Sequence, residues 1–452
     1  MDYIIMAAQL ILSLSILVVL HELGHFIPAK IFKTKVERFF LFFDPKFALW
    51  QKKIGETVYG IGWLPLGGYV KIAGMIDESM DLEQMKQPAQ PWEFRSKPVW
   101  QRLIIMLGGV TVNAILAIVI YAGIFMHWGE TFLPADKAKY GIMVNEVGKE
   151  IGLENGDVLL SVDNNKPEKF NEWIIEILFG DSLKVKRNNI VTSIYLSPNT
   201  KQKIIKSKGS FLNPRIPAII GGIADDSSAK SVGLKEGDEI IEINGNQIAF
   251  FDELQEIIQN SKKDTIYVKI NRKEEISSYP IILKTIDFNG NKRKIMGIAP
   301  MNEAQMKLLF PLVEKKYSLL EAIPKGATHT YNSLAMQLRQ FKLIFQPETK
   351  AYKEVGSVFS IAKAFGSDWD WLKFWNLTAM LSVWLAFLNL LPIPALDGGH
   401  ALFILYEMIM RKKPSEKFLE IAQTIGFLIL SSLMILLIGW DAIKNLFPSL
   451  LM

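Results

Sequence analysis

Residues 3–25 read Tyr3-Ile-Ile-Met-Ala-Ala-Gln-Leu-Ile-Leu-Ser-Leu-Ser-Ile-Leu-Val-Val-Leu-His21-Glu22-Leu-Gly-His25. An uncharged run, 3–20, leads straight into two histidines and a glutamate. A helix needs about 20 apolar residues to cross the hydrocarbon core of a bilayer. Only Met1 and Asp2 precede the run, so it lacks the basic start of a signal peptide, and no small-x-small cleavage site follows. A retained membrane helix is expected. Polar and ionisable groups at the end of such a helix are costly and call for a function. In H-E-x-x-H, positions i and i+4 share one helical face, so His21 and His25 can bind one metal ion. Glu22 is offset toward the next face, where it can take a proton from metal-bound water without being a ligand.

Working outward, three more uncharged stretches appear at 103–129, 374–396 and 421–440. They raise the mean hydropathy of the 452-residue chain to +0.19 with half of its residues hydrophobic, which excludes a disordered, collagen-like or ordinary cytosolic protein. The absence of cysteine excludes disulfides, thiolate nucleophiles and Cys-based zinc sites. A net charge of +5 gives no reason to invoke nucleic acid. Lys30, Lys33, Lys35, Arg38, Lys52, Lys53, Lys71, Lys97 and Arg102 cluster between the first two spans, and Arg411, Lys412, Lys413 and Lys417 follow the third. Positive-inside counting makes both segments cytoplasmic, and it puts both chain ends and the charged segment 130–372 outside.

The third span ends in Asn389-Leu-Leu-Pro-Ile-Pro-Ala-Leu-Asp-Gly-Gly399. Pro392 and Pro394 break the helix, so the freed backbone groups must line a protein cavity. Asp397 is the first charge after the span and, by topology, lies at the same depth as His21 and His25. A catalytic zinc normally has three protein ligands and a water, and Asp397 is the candidate third ligand.

The outer segment holds an internal repeat. Ile151-Gly-Leu-Glu-Asn-Gly-Asp-Val-Leu-Leu-Ser-Val-Asp163 reappears as Val232-Gly-Leu-Lys-Glu-Gly-Asp-Glu-Ile-Ile-Glu-Ile-Asn244. Alternation predicts strands with Val158, Leu160, Val162 and Ile241, Ile243 on one face. Asn244-Gly245 signals a hairpin turn, followed by a helix near 251–261 and a strand over 265–270. The pattern resembles PDZ domains of the bacterial protease-associated type, over 137–205 and 215–300.

Together, HELGH, N-x-x-P-x-P-x-L-D-G-G and the PDZ-like pair resemble the site-2 protease family over essentially the whole chain. The resemblance implies a zinc-dependent intramembrane endopeptidase, with His21, His25 and Asp397 as metal ligands and Glu22 as the catalytic glutamate. It implies a bacterial inner-membrane location. Its substrates would be membrane-spanning proteins already trimmed by another protease, such as an anti-sigma factor, or signal-peptide remnants. Tyr59–Ile72 resembles the family's re-entrant β-hairpin, within about 54–74, with Gly67 and Gly68 at its turn; an open strand edge there suits an unwound substrate. Gly109-Val-Thr-Val-Asn113 resembles its G-x-x-x-N element, with Val110 where proline is common. Asn113, Asn389, Pro392 and Pro394 are the remaining candidates for substrate contact; helix–helix hydrogen bonding is the other reading of both asparagines.

The expected fold is thus a polytopic α-helical membrane protein. Helix 1 covers 1–30, a cytoplasmic segment 31–101, helix 2 102–129, an amphipathic outer stretch 301–370, helix 3 with its motif 371–410, and a turn with helix 4 411–452. A non-catalytic PDZ adaptor would have no need of Glu22. A metal transporter or sensor would need polar residues along the spans, not at one depth.

Overall fold

The structure is a computed structural model and describes residues 2–65, 67–75, 87–207, 209–288, 291–356 and 358–446. The chain forms two compact units. One comprises Met1–Gly129, Lys316–Lys342 and Val355–Met452, the other Glu130–Lys315 and Leu343–Glu354.

The first unit contains helices α1 (Asp2–Ile31), α2 (Val99–His127), α3 (Leu319–Ile344), α4 (Val358–Phe365), α5 (Trp371–Leu390), α6 (Asp397–Met410) and α7 (Glu416–Leu446). Among them α1, α2, α5 and residues Lys417–Leu437 of α7 are long and apolar enough to cross a membrane. α1 buries Leu10, Ser13, Leu17 and Gly24, a stripe at helical spacing. The stripe meets α5 through Leu10, Leu17, Phe374 and Leu381, and through a 2.9 Å hydroxyl pair between Ser13 and Thr378. Lipid drives no hydrophobic association between helices, so such buried polar pairs and close packing carry it. α2 runs between these helices, and Ser382 of α5 donates to its Asn113 carbonyl at 2.8 Å. Near its start Arg102 grips Glu407 of α6 with two bonds, 2.6 and 3.0 Å, in a buried bidentate pair.

Two sequence expectations change here. Within the amphipathic stretch, 316–366 reads as helix throughout but is broken in two. α3 stacks on α2, with Ala322 among Ala117, Tyr121 and Phe125, and the ring of His329 stands edge-on to Tyr121 at 4.4 Å. After α3 come two short 3-10 turns and then α4. The expected hairpin also differs. The sheet holds β1 (Val36–Leu41), β2 (Phe43–Ile54), β3 (Thr57–Leu64) and β4 (Tyr69–Ile72) in the order β2-β3-β1-β4. β3 and β4, which flank 65–68, do not pair; β1 lies between them, parallel to β3 and antiparallel to β4. Val36-Glu-Arg-Phe-Phe-Leu41, rich in β-formers, takes the place the second arm was expected to fill. The true hairpin is β2–β3, and β4 is left as an edge strand.

In the second unit each repeat builds its own sheet. The strand Val158–Val162 joins Ser182–Arg187 and Ile190–Tyr195; Glu239–Ile243 joins Asn246–Gln247, Thr265–Arg272 and Glu275–Ile282. The alternation expected of the first strand is interrupted in both copies. A register shift falls between Leu159 and Ser161 and again between Ile240 and Glu242. The core therefore receives Leu159 and Val162, or Ile240 and Ile243, where simple alternation put Leu160 and Ile241 inside.

The repeated aspartate explains itself. Asp157 and Asp238 are each 1% exposed. Arg187 forks onto Asp157 with two 2.8 Å bonds and reaches the Gly152 carbonyl; Arg272 does the same to Asp238, with two 2.6 Å bonds, and to Gly233. Each carboxylate also accepts a backbone N–H, from Glu154 or Lys235. The glycine-punctuated turn, whose Gly152, Gly156, Gly233 and Gly237 all have φ between 87° and 97°, is thus bolted to the sheet by one arginine. Removing the aspartate takes away the acceptor that ties the Lys235 N–H and the Arg272 fork together. Asp238→Ala should speed hydrogen exchange in strands 239–243 and 265–272, with strand 158–162 far less affected.

Candidate metal centre and active site

The site begins where α1 and α2 cross without side chains between them. A Cβ on Gly24 would lie 2.4 Å from the Gly108 carbonyl oxygen, and one on Gly108 would lie 1.9 Å from that of Gly24. Pro28, four residues on, has no N–H to offer the Gly24 carbonyl, which is free to face α2. Backbone contact of this kind is possible only between small residues. One residue further, Gly109 leaves the hollow that holds both imidazoles. A Cβ there would stand 2.4 Å from His25 Nε2 and 2.6 Å from His21 Cε1.

α2 also decides which nitrogens are free. His25 Nδ1 lies 2.8 Å from the Ile105 carbonyl, which can only accept. Nδ1 therefore carries the proton, and Nε2 presents its lone pair. The Asn113 carboxamide lies 3.1 Å from His21 Nδ1 through its nitrogen, while its wholly buried Oδ1 has no partner. Turning the amide by a half-rotation lets Oδ1 accept from His21 Nδ1–H and gives His21 the same tautomer. Asn113 is 0% exposed, so its side chain serves His21 and does not open onto a groove.

The third member comes from α6. Pro392 and Pro394 end α5 at Leu390, and Asp397 opens α6. Gly398 and Gly399 allow the intervening loop to lie against the helix start, since a Cβ on either would fall 2.4 Å from carbonyl oxygens of 390–393. Asp397 Oδ2 then stands 3.4 Å from His21 Nε2 and 3.3 Å from His25 Nε2, and the two nitrogens are 3.3 Å apart. Ligands about 2.0–2.1 Å from a tetrahedral ion are separated by about 3.3–3.4 Å, so the three atoms already form one face of such a tetrahedron. Two lone pairs and an anionic oxygen converge, and the buried Oδ2 accepts no hydrogen bond. This donor set fits zinc. Among the described residues it is the one group with metal-ligand spacing.

Glu22 shares a cavity of about 620 Å³ with His21, His25, Asp397, Asn389 and Phe427. Val70 of β4 lines the same cavity. Gly67 and Gly68 line the same cavity, and a Cβ on Gly68 would lie 2.6 Å from Val18 of α1. The edge strand thus runs beside the glutamate. Leu66, at the expected turn, lies outside the described residues. Of the other candidates, Asn389 Nδ2 is 3.5 Å from His21 Nε2. Pro392 is exposed, and neither it nor Pro394 is among the cavity-lining residues, so the prolines shape the loop. His127 stacks edge-on with Trp128, away from this group, and His400 lies in the first turn of α6 without joining the ligand set. Sequence reasoning missed Gly24, Gly108 and the Ile105 carbonyl; paired small residues in two spans were the available signal.

A polytopic helical protein that gathers H-E-x-x-H and a distant aspartate around one point, with a glutamate beside it, is by class a metal-dependent hydrolase of the membrane. Residues 9–433 match the model of Peptidase family M50, and the chain belongs to that family, the site-2 proteases. It is a zinc metalloprotease of the intramembrane type. It is similar to the Regulator of sigma E protease of Haemophilus influenzae, 27% identical over 98% of this chain and 100% of the relative. It is 26% identical to the Regulator of sigma-E protease RseP of Escherichia coli, over 94% of this chain and 96% of that one. A Putative zinc metalloprotease of Vibrio cholerae is 28% identical over 94% and 95%.

Gly109→Ala should weaken zinc binding by about 10-fold or more, because the added methyl displaces both imidazoles. Competition with a chelator on purified protein measures it; wild-type affinity would show that the helices can part without disturbing the site.

Proposed function

We propose that His21, His25 and Asp397 hold the catalytic zinc, that Glu22 is the general base, and that the enzyme cuts the membrane segment of single-span proteins. The observation that carries the reading is the triangle of Nε2, Nε2 and Oδ2 with sides of 3.3–3.4 Å in a cavity shared with Glu22. Zinc bound there supplies a Lewis acid that polarises the scissile carbonyl and lowers the pKa of water. The chain's own residues do the rest. Glu22 takes a proton from the attacking water as the new C–O bond forms and then passes it to the amide nitrogen, which leaves as the amine when the C–N bond breaks. The Ile105 carbonyl and Asn113 keep both histidines in the Nδ1–H tautomer throughout. The unpaired edge of Tyr69–Ile72 receives an unwound substrate as an added strand, beside Glu22.

Two sigma-E regulators among the relatives point to a trimmed anti-sigma factor as the substrate type. Positive-inside counting places the metal-binding ends of the helices at the cytoplasmic side and segment 130–372 outside. There the PDZ-like domains, 137–205 and 215–300, exclude substrates that still carry a bulky outer domain. The three-stranded sheet of the first copy, against four strands in the second, favours exclusion over recognition of a particular C-terminus.

Glu22→Gln should abolish cleavage of a model membrane substrate while zinc stays stoichiometric, since the residue moves protons and ligates nothing. Metal analysis showing loss of zinc would assign Glu22 a ligand role instead. Deleting residues 137–300 with the spans intact should permit cutting of an untrimmed substrate. A deletion that still cleaves only trimmed substrate removes size exclusion by these domains, and one that loses both, with zinc retained, makes them recruiters.

A further inference from the structure

The loop that delivers Asp397 has very little holding it. Between Leu391 and Leu396 the two prolines offer no N–H, and the donors are Leu391, Ile393, Ala395 and Leu396. Leu391, Ile393 and Leu396 close local turns onto Leu388, Leu391 and Ile393. The Ala395 N–H alone reaches another helix: it donates to Oε1 of Gln423 in α7 at 3.1 Å. Ala395 has φ of +81°, a left-handed conformation that costs a residue with a Cβ, and it stands two residues before Asp397. Gln423 is 4% exposed on a helix that otherwise shows most of its side chains outward, so its amide is committed to this contact. One turn along, Gly426 lets the same loop seat on α7: a Cβ there would fall 1.8 Å from the Pro394 carbonyl oxygen.

We propose that Gln423 is a positioning residue of the metal site: it holds Ala395 in its strained conformation and so aims Asp397 at the two histidines. The inference rests on the reading of Asp397 as a metal ligand. α7 supplies no ligand, yet it fixes one through a single hydrogen bond and a glycine contact. Without the Gln423 acceptor nothing offsets the cost of the left-handed conformation at Ala395. Ala395 would relax out of the left-handed region, and Asp397 would leave the 3.3–3.4 Å triangle.

Zinc affinity of the full-length protein, by competition with a chelator, tests this without measuring activity. Gln423→Met keeps length and removes the acceptor, and it should weaken zinc about 10-fold, the scale of lost outer partners at metal sites. Adding Ala395→Gly, which adopts positive φ without cost, should restore affinity to within about 3-fold, whereas Ala395→Gly alone should bind as wild type. A purely structural anchor for α7 would not be rescued from residue 395, so absence of rescue overturns the proposal. Gly426→Ala, which lifts the loop sterically, should also weaken zinc and should not be rescued by Ala395→Gly; wild-type affinity in Gly426→Ala, or in Gln423→Met, equally overturns it. Asp397→Ala run alongside separates the two levels. If it binds zinc as wild type, the ligand assignment itself is wrong; if it loses zinc while Gln423→Met does not, only the positioning role falls.

Discussion

Everything at the site depends on two helix backbones touching. α1 and α2 meet at Gly24 and Gly108 so closely that neither position has space for a methyl group. With ordinary side chains there the helices would stand apart by the usual interaxial distance of about 8–10 Å. At that separation the Ile105 carbonyl would not reach His25, and Asn113 would not reach His21. Close approach therefore does two jobs: it supplies the dispersion contacts that hold helices together in lipid, and it puts α2's polar groups on the far nitrogen of each imidazole. The tautomers, and with them the metal-binding lone pairs, follow from backbone proximity.

Much of this was legible in the residues. The two histidines on one face and the glutamate offset from them follow from helical periodicity, and His21, His25 and Asp397 offer donor atoms within 4.8 Å of one another. The repeat in the outer segment was legible as well, down to its turns: Asn244 and Gly245 both take positive φ, as do Asp163 and Asn164 in the first copy. What periodicity hides is a residue that steps out of it. The shift at Leu159 and Ile240 moved the core by one position in both sheets, because a bulge leaves no compositional mark. The order β2-β3-β1-β4 was equally hidden: local turn signals at 65–68 say that the chain reverses, and nothing local says that an earlier strand lies between.

Partners far apart in sequence formed the other blind spot. Arg187 and Arg272 are separated from their aspartates by 30 and 34 residues, and Arg102 from Glu407 by 305. Their pairing depends on which elements become neighbours, which composition does not encode. The repeat did offer an indirect clue, since both arginines end the longer strand paired with the one after the repeated aspartate, and both precede a two-residue turn, Asn188-Asn189 or Lys273-Glu274.

The Arg102–Glu407 fork bears on how the catalytic helices come together. A bidentate pair, with both side chains about a tenth exposed, has one satisfactory geometry, and sliding α6 by a single turn against α2 would bury two unmatched charges. α6 begins with Asp397, so the register this pair enforces at Glu407 is carried back along the helix to its first residue. Docking of α6 becomes all-or-none. An unlatched α6 gives up both the ion pair and the place of Asp397 beside His21 and His25.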